Sequence, residues 1–462
     1  MSLEQVTASA WKVLEEAVVT LDGRRVGTVA ARDPVSEGPN YDRVFVRDFF
    51  VAGLAFLLRG DTEIVANFLV EVGVLQGHQR HMDWYRPGHG LMPANFSVEE
   101  RDGREKIVAD FGEHSIARVT PIDSGLWWLL LLRIYTRMVG DLELAQRDPV
   151  QDAVRGIIDH TLTSGLDMLP TLLVPDGAFT IDRRLGVYGH PLDIQALLIA
   201  ALRSAGEILP QGDELQQAIS EHLGQLVHHL RQYYWLDLHR LNEIYRYQVE
   251  ESGDNAANAF NIYPDSIPDW IMTWLPLDSG YFVANLGPAR MDFRFLAQGN
   301  LLSVLIGLAT SEQQAALLRL LEERCEDLLG EMPMKLCFPA VEGRDWQLIT
   351  GSDPKNTPWS YHNGGSWPFL LWLLAAGALQ ADRRDLVERA LEPAAEYLHR
   401  DGWPEYYDGR LGRLIGKQAR RNQVWSAAGF LVARQLLEDP EKVGIISFEG
   451  ELASDSSKHN DG

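Results

Sequence analysis

Six acidic residues lie in polar or aromatic segments close to predicted helix starts: Asp48, Asp123, Asp193, Asp292, Asp345 and Glu405. Two carboxyl groups that flank a bond between sugars can cleave it. One donates a proton to the leaving oxygen, while the other activates water or attacks the carbon directly. The residues therefore permit glycoside hydrolysis, although the sequence alone does not rank the six candidates.

Asp193 and Glu405 have the most distinctive surroundings. Asp193 follows His190-Pro191-Leu192 and precedes an apolar helix, a half-buried position that would raise its pKa. Glu405 lies in the aromatic loop 402–409, just before another apolar helix. The alternatives are an ordinary acidic residue in a first helical turn and a solvated loop glutamate beside a turn.

Aromatic residues accompany these carboxyl groups. The chain has 13 Trp and 14 Tyr, and several lie in polar loops such as 84–85, 359–367 and 403–407. Aromatic faces pack on the apolar faces of sugar rings, while polar side chains bond the hydroxyl groups. The alternative is that Trp fills the core, which we expect for about half of these residues.

Other kinds of active site have little support in the sequence. There is no His-Glu-x-x-His motif, and His78, His81 and His89 lack a familiar zinc spacing. The segment 412–418 resembles a P-loop, but it has one residue too few between its glycines and lacks the Ser/Thr that binds magnesium. There is no Gly-x-Ser-x-Gly elbow, and neither cysteine has a marked reactive setting.

Composition and charge narrow the class of protein further. Of 462 residues, 46% are apolar and 23% charged, as in ordinary globular proteins. A net charge of −23 disfavours binding to nucleic acids and to anionic membranes. Two cysteines, and an N-terminus without a signal peptide, predict a cytoplasmic protein.

Helical periodicity recurs through most of the chain. We predict twelve long helices, near 5–20, 44–59, 61–79, 121–139, 147–164, 190–207, 213–235, 290–308, 311–329, 363–379, 381–399 and 421–437. One set is apolar around most of its circumference and must be buried on all sides, whereas the other is amphipathic and should form an outer layer. Strand signals are weak, and the best are 24–30 and 168–174.

Six of the buried helices begin with a polar and aromatic cluster, at 41–48, 120–125, 188–193, 290–294, 359–368 and 417–423. A single cluster is explained by capping, because Asp, Ser, Asn and Pro are favoured at helix starts. Six together indicate an all-α toroid, an (α/α)6 barrel whose inner helices point their starts at one cavity. We expect one catalytic domain over 1–445 and a polar, disordered tail over 446–462.

Several long motifs in sequence order resemble the alkaline/neutral invertases of glycoside hydrolase family 100. The resemblance runs from 41–48 to 425–429, and its most specific pieces are 187–195, 354–368 and 403–409. It implies an (α/α)6 barrel, hydrolysis of sucrose to glucose and fructose with inversion at the anomeric carbon, and no metal or organic cofactor.

The resemblance also implies roles for particular residues. Asp193 would be the general acid and Glu405 the general base. The expected sugar-binding residues are Tyr41, Arg47, Asp48, Asp123, His190, Arg294, Gln298, His362 and Trp425. Family members are often oligomeric, so a homo-oligomer is expected. Bulky loops at 82–96 and 352–361 are expected to close a small substrate pocket.

Alternative functions remain open from the residues themselves. They are a hydrolase or phosphorylase of another small α-glucoside on the same barrel, a sugar isomerase or epimerase that uses His190 and His362, and a sugar-binding protein without catalysis. A phosphorylase would need phosphate, and a binding protein would not need two carboxyl groups at the bond.

Overall fold

The computed structural model describes residues 2–33, 40–78, 88–114, 118–162, 170–250, 262–287, 290–448, 450 and 452. Its α-helices are α1 (Leu3–Glu16), α2 (Val46–Arg59), α3 (Glu63–Val74), α4 (Asp123–Val139), α5 (Asp148–Thr161), α6 (Leu192–Ile208), α7 (Glu214–Tyr233), α8 (Leu238–Glu250), α9 (Asp269–Trp274), α10 (Ala297–Leu305), α11 (Ser311–Glu323), α12 (Cys325–Leu328), α13 (Gly343–Thr350), α14 (Leu371–Gln380), α15 (Arg384–Asp401), α16 (Val424–Glu438) and α17 (Val443–Ile446). Short 3-10 helices occupy Pro264–Ser266, Pro368–Leu370 and Pro440–Lys442.

The apolar helices α2, α4, α6, α10, α14 and α16 contact one another in that order, and α16 contacts α2 again. They therefore form a closed cycle. Nearly all side chains of α4 and α6 are buried, as expected for helices that are apolar around most of their circumference. In the part of the chain that the structure describes, no helix is long and apolar enough to cross a membrane.

Amphipathic helices surround this cycle. Helix α7 packs on α6, α5 contacts α3, α4 and α6, and α15 contacts α14 and α16. Helix α1 lies against α15 and α16, which brings the first helix to the last part of the chain. Local sequence fixes where several of these helices begin, since Ser2 and Thr310 form capping boxes for α1 and α11.

The chain is helix-rich but contains strands that the all-α expectation left out. Strands β1 (Val18–Leu21) and β2 (Arg24–Thr28) pair antiparallel, and a second sheet has the order β3 (Val44–Phe45), β4 (Asn95–Arg101) and β5 (Arg104–Asp110). A third sheet has the order β6 (Trp235–Asp237), β7 (Gly280–Gly287), β8 (Arg290–Leu296) and β9 (Cys337–Phe338). The expected strand at 24–30 corresponds to β2. Of the expected strand at 168–174, residues 168 and 169 lie outside the described part, and Val174 makes only an isolated bridge to Gly189.

The helix predicted over 290–308 begins only at Ala297, because the residues before it form β8. Met291, Phe293 and Phe295 are buried and alternate with the more exposed Arg290, Asp292 and Arg294. An alternation of period two is the pattern of a strand. The polar cluster at 290–294 therefore lies on a strand, not at a helix start.

The chain stays packed against the helices beyond residue 445, the expected end of the catalytic domain. Ile446 and Phe448 are buried, and the side chain of Arg133 donates hydrogen bonds to the carbonyl oxygens of Ile446 and Ser447. The guanidinium groups of Arg133 and Arg203 lie 3.6 and 4.6 Å from the ring of Phe448. Cation–π contacts and burial thus fix the chain as far as residue 448. Residues 453–462 of the expected tail lie outside the described residues.

Close backbone contact inside the helical cycle gives a stability prediction at Gly429 in α16. A Cβ added there would lie 2.7 Å from the Cα and carbonyl oxygen of Phe369. Gly429→Ala should therefore lower the free energy of unfolding by about 1–3 kcal/mol, as overpacking does. The matched control is Gly206→Ala in α6, where an added Cβ meets nothing within 4 Å and a gain of about 0.5–1 kcal/mol is expected. Denaturant titration of both variants checks this, and equal effects would contradict it.

Candidate active site

The starts of the inner helices bring several candidate residues into one electrostatic network. Arg47 in the first turn of α2 donates a hydrogen bond to Asp123 at the start of α4, with 2.8 Å between Nη1 and Oδ2. The charge of Asp123 in turn raises the pKa of Asp193 in the first turn of α6, and the charge of Arg47 lowers the pKa of His362. Arg47 thus joins the starts of α2 and α4, and electrostatic interactions extend from this pair to Asp193 and His362.

Asp193 is fully buried, and only one of its two carboxyl oxygens is bonded within the described residues. Oδ1 accepts a hydrogen bond from the backbone N–H of Gly299 at 2.7 Å, whereas Oδ2 has no partner in that part of the chain. Burial raises the pKa of Asp193 to about 7; the Gly299 bond opposes this shift and the charge of Asp123 adds to it. The carboxyl group can therefore hold a proton near neutral pH, and one of its oxygens is available for a bond.

Gly299 is a site residue that the sequence analysis missed. It lies in the first turn of α10, and a Cβ there would be 2.6 Å from Asp193 Oδ1 and 2.7 Å from Leu192 Cγ. Only glycine lets α10 approach α6 closely enough for its N–H to bond the acid. One feature of the sequence could have indicated Gly299: it directly follows the candidate residue Gln298, near a helix start.

Glu405 is held in a different environment. It lies between α15 and α16, and its side chain is 3% exposed. The hydroxyl of Tyr41 donates to Oε1 at 2.8 Å, and Nζ of Lys355 lies 3.3 Å from Oε2. A buried carboxylate is costly unless a cation and hydrogen bonds compensate it. Tyr41 and Lys355 supply that compensation.

Lys355 was quoted within a motif but not assigned to the site. Its side chain is 6% exposed, and Nζ lies 3.4 Å from the Tyr41 hydroxyl and 4.1 Å from the centre of the Tyr361 ring. The ammonium group therefore faces Glu405, Tyr41 and Tyr361 together. Because Lys355 and Tyr361 both belong to the expected capping loop 352–361, this loop does contribute to the site. Of the other expected loop, 82–96, residues 82–87 lie outside the described residues.

Asp48 adds a second carboxyl group with a raised pKa. Burial raises the pKa of Asp48 to about 7 against the charge of Arg47, and Asp182, Glu405 and Asp123 reinforce the rise. Asp48 Oδ1 and Arg47 Nε are 4.0 Å apart. Burial also raises the pKa of Asp123, although Arg47 opposes it. The guanidinium of Arg47 thus stabilises the charged forms of both carboxyl groups.

Asp182 is another residue that the sequence analysis did not find. Its Oδ1 lies 3.6 Å from Nδ1 of His362, and a third of its side chain is exposed. Burial raises the pKa of Asp182 despite Arg47, Arg183 and Lys355. No sequence signal marked it, because it lies in the irregular segment before α6 and not at a helix start.

His362 is buried and stacks on Trp367, with ring centroids 5.1 Å apart. Burial lowers its pKa well below the usual value, and the positive charges of Arg183, Arg47 and Lys355 act in the same direction. The imidazole is therefore neutral at pH 7. It can donate or accept a hydrogen bond, but it does not supply a positive charge.

Arg294 and Gln298 lie at the junction of β8 and α10. Arg294 Nε donates to Asp292 Oδ1 at 2.8 Å; burial disfavours the Asp292 carboxylate, but Arg294 outweighs it and the pKa of Asp292 is lowered. Asp292 is therefore a counter-ion. Gln298 is buried and accepts a hydrogen bond from Thr180 at 3.0 Å.

Cys337 interacts electrostatically both with Arg294 and Asp292 and with Asp193. Burial raises the pKa of its thiol to about 12 against Arg294, with the charges of Asp292 and Asp193 adding to the rise. The thiol is therefore protonated, which disfavours a nucleophilic role.

The two remaining candidates for sugar binding are His190 and Trp425. His190 Nδ1 lies 2.8 Å from Thr171 Oγ1, and the charge of His190 helps burial to lower the pKa of His229 on α7. The Trp425 ring stacks on Phe369 at 4.4 Å, and its Nε1 has no hydrogen-bond partner among the described residues. Asp345 of the initial six is exposed in α13.

Comparison with known proteins agrees with the motif analysis. Residues 10–440 match the family described as "Alkaline and neutral invertase". Cytosolic invertase 1 of Oryza sativa subsp. japonica is 50% identical over 454 residues, which cover 97% of this chain and 81% of that protein. Probable alkaline/neutral invertase D of Arabidopsis thaliana is 51% identical over 450 residues, covering 96% and 84%. A chloroplastic relative from rice, neutral/alkaline invertase 3, is 50% identical over 453 residues, covering 96% and 75%.

Solved structures share the fold at much lower identity. A wild-type glycosidase aligns with a TM-score of 0.58 at 13% identity, covering 96% of this chain and 97% of that chain. A bacterial glucoamylase complexed with acarbose aligns with a TM-score of 0.56 at 12% identity, covering 95% and 57%.

The raised pKa of Asp193 has a measurable consequence for stability. Between its usual value of 3.8 and about 7, the unfolded chain loses this proton while the folded protein keeps it, so rising pH destabilises the fold. Asp193→Asn removes this effect and retains an acceptor for the Gly299 N–H. Relative to the unsubstituted protein, the variant should gain about 2–4 kcal/mol of unfolding free energy between pH 4 and pH 8. Denaturant titrations across this range test the sign, and a difference that does not change with pH would refute it.

Proposed function

The chain belongs to the alkaline and neutral invertase family and is a glycoside hydrolase, and from this premise we propose that it hydrolyses sucrose to glucose and fructose. The observation that carries the proposal is the difference between two buried carboxyl groups. Asp193 has a pKa raised to about 7 and one unbonded oxygen, whereas Glu405 is paired with Lys355 and Tyr41. Carboxyl groups in such unlike environments divide into an acid and a base.

In this mechanism Asp193 donates its proton to the oxygen that links glucose to fructose. The bond from that oxygen to the anomeric carbon of glucose breaks, and fructose leaves with the proton. Glu405 removes a proton from water as the water adds to the opposite face of the glucosyl ring. The products are glucose with inverted configuration and fructose. Asp193 has then lost its proton, and Glu405 has gained one. In inverting enzymes the two carboxyl groups lie about 6.5–9.5 Å apart, which leaves room for the water.

The charged groups around this pair are suited to bind hydroxyl groups. Arg47, Asp48 and Asp123 form a polar cluster at the starts of α2 and α4, and Asp182 lies beside the neutral His362. Buried atoms without partners among the described residues, such as Asp123 Oδ1 and Trp425 Nε1, have hydrogen-bonding capacity that a sugar would satisfy. We assign these residues, with Tyr41, His190, Arg294 and Gln298, to substrate binding.

We further infer that the closed cycle of apolar helices is the inner ring of an (α/α)6 barrel, with α1, α3, α5, α7, α11 and α15 as its outer layer. The helical contacts and the amphipathic character of the outer helices support this inference. A cytoplasmic location fits the name of the cytosolic relative and two free, buried cysteines. A homo-oligomer remains a prediction, which sedimentation can test.

The first functional test is hydrolysis of sucrose by purified protein without added phosphate. Asp193→Asn and Glu405→Gln keep the side-chain shapes but remove proton transfer, so kcat should fall about 10²–10⁴-fold while KM changes little. Asp345→Asn is the matched control, because Asp345 is exposed, and it should retain full activity. Near-normal turnover by either site variant would overturn the assignment, and dependence on phosphate would indicate a phosphorylase instead.

The second functional test is the configuration of the first glucose released. Sucrose is an α-glucoside, so attack by water on the opposite face yields β-glucose before mutarotation. Proton NMR of the anomeric signals in the first minutes should show an excess of the β form. An initial excess of α-glucose would contradict this mechanism. It would require either retention, in which Glu405 itself attacks the anomeric carbon of glucose, or cleavage of the bond between the linking oxygen and fructose.

A further inference from the structure

A cleft of about 740 Å³ has none of the proposed catalytic and sugar-binding residues in its lining. Its walls are the segment around α12, the outer helix α15 and the loop that precedes α16. The lining includes Lys335, Phe338, Trp359, Arg389, Tyr397 and Arg413. The volume is in the range of small-molecule sites, which are about 300–1,000 Å³.

One face of α15 supplies a wall of the cleft. Arg389, Pro393 and Tyr397 follow one another at intervals of four residues, so they share a face of the helix. Pro393 has no N–H, so the carbonyl oxygen of Arg389 lacks the usual helical donor. Arg389 itself is exposed and makes no hydrogen bond or ion pair within the described part of the chain. This face therefore offers both a donor and an acceptor.

The charges of the cleft nearly balance. Its basic residues are Lys335, Arg389, Arg410 and Arg413, and its acidic residues are Glu326, Asp327 and Glu331. Arg413 already pairs with Glu331 at 2.7 Å, and Lys335 donates to the carbonyl oxygens of Glu326 and Asp327. Closely spaced donors and acceptors of opposite charge suit a neutral ligand that has many hydroxyl groups better than an anion.

Aromatic rings complete the lining. Phe338 and Trp359 lie 6.0 Å apart, and the guanidinium of Arg410 lies 5.2 Å from the Trp359 ring. Tyr397 of α15 is also part of the lining. Aromatic faces next to charged hydrogen-bonding groups form a surface on which one face of a sugar ring can pack while its hydroxyl groups are bonded. We propose that this cleft is a second carbohydrate site, which binds a neutral mono- or disaccharide without cleaving it.

The cleft borders the segment that follows Glu405 in the chain. Gly409, which lines the cleft, donates its N–H to the carbonyl oxygen of Trp359 at 2.8 Å. Four residues earlier, the N–H of Glu405 donates to the carbonyl oxygen of Arg420. A Cβ at Gly409 would lie 1.7 Å from the carbonyl oxygen of Gly364, so this loop is fixed tightly against the segment that includes His362. A sugar in the cleft therefore contacts the same loop that positions the catalytic base.

The test counts sugar-binding events by calorimetric titration of the full chain. Sucrose added to Glu405→Gln should give two events per chain. Adding Arg389→Ala and Tyr397→Ala should weaken one event at least tenfold and leave the other. In the variant that combines Arg47→Met with Glu405→Gln, the cleft event should remain and the other event should be lost. Glu392→Ala is the matched control, because Glu392 is an exposed residue of α15 outside the cleft lining, and it should keep both events.

A single event per chain, or two events that the cleft variants leave unchanged, would overturn the proposal. Arg389→Ala alone replaces an exposed side chain, so it provides the same comparison if the double variant folds poorly. Glucose and fructose added to the unsubstituted chain give a count that does not depend on turnover. Hydrolysis at low sucrose should be unchanged in the cleft variants. Loss of the cleft event with normal hydrolysis therefore separates this proposal from the proposed function.

Discussion

The polar interior is organised around the interactions of one group, the guanidinium of Arg47. It bonds Asp123, lies near Asp48, and opposes the pKa rise that burial imposes on Asp48, Asp123 and Asp182. A single cation cannot fully compensate several buried carboxylates, so the pKa values of these acids remain raised despite it. Arg47 does not contribute to the pKa of Asp193, which burial raises to about 7. Lys355 has the corresponding role for Glu405, whose carboxylate it approaches at 3.3 Å.

This division of cations explains why two carboxyl groups in one interior can have opposite roles. Asp193 is bonded by one neutral N–H donor, whereas Glu405 has an ammonium and a phenol within hydrogen-bonding distance. The fold creates this difference by drawing the two groups from distant parts of the chain. Asp193 comes from a helix start, where α10 approaches closely at Gly299, and Glu405 comes from a long loop. Solved glycosidases with 12–13% identity share the fold, which is consistent with a scaffold that positions many different side chains.

Much of the architecture could be predicted from the sequence because the inner helices are apolar on all sides and the outer ones are amphipathic. The observed α4, α6 and α16 begin and end within about three residues of the predicted bounds. The motifs also indicated Asp193 and Glu405. Prediction failed where tertiary contacts decide the outcome. The strand β8 was read as helix, although its period-two alternation was visible. Lys355 and Asp182 could not be assigned because their roles come from neighbours 50 and 180 residues away in the chain, Glu405 and His362.

Contact between α2 and α16, and between α1 and α15–α16, also has a consequence for how the molecule assembles. The helical cycle joins its first and last members across more than 360 residues of sequence, and Arg133 and Arg203 enclose Phe448 beyond the last of them. Non-local closure carries a large loop entropy and slows folding. During synthesis the apolar face of α2 that α16 covers has no native partner until the final tenth of the chain has emerged from the ribosome. The nascent chain is therefore exposed to misassociation for most of its translation, and ring closure is the step at which chaperone assistance would matter most.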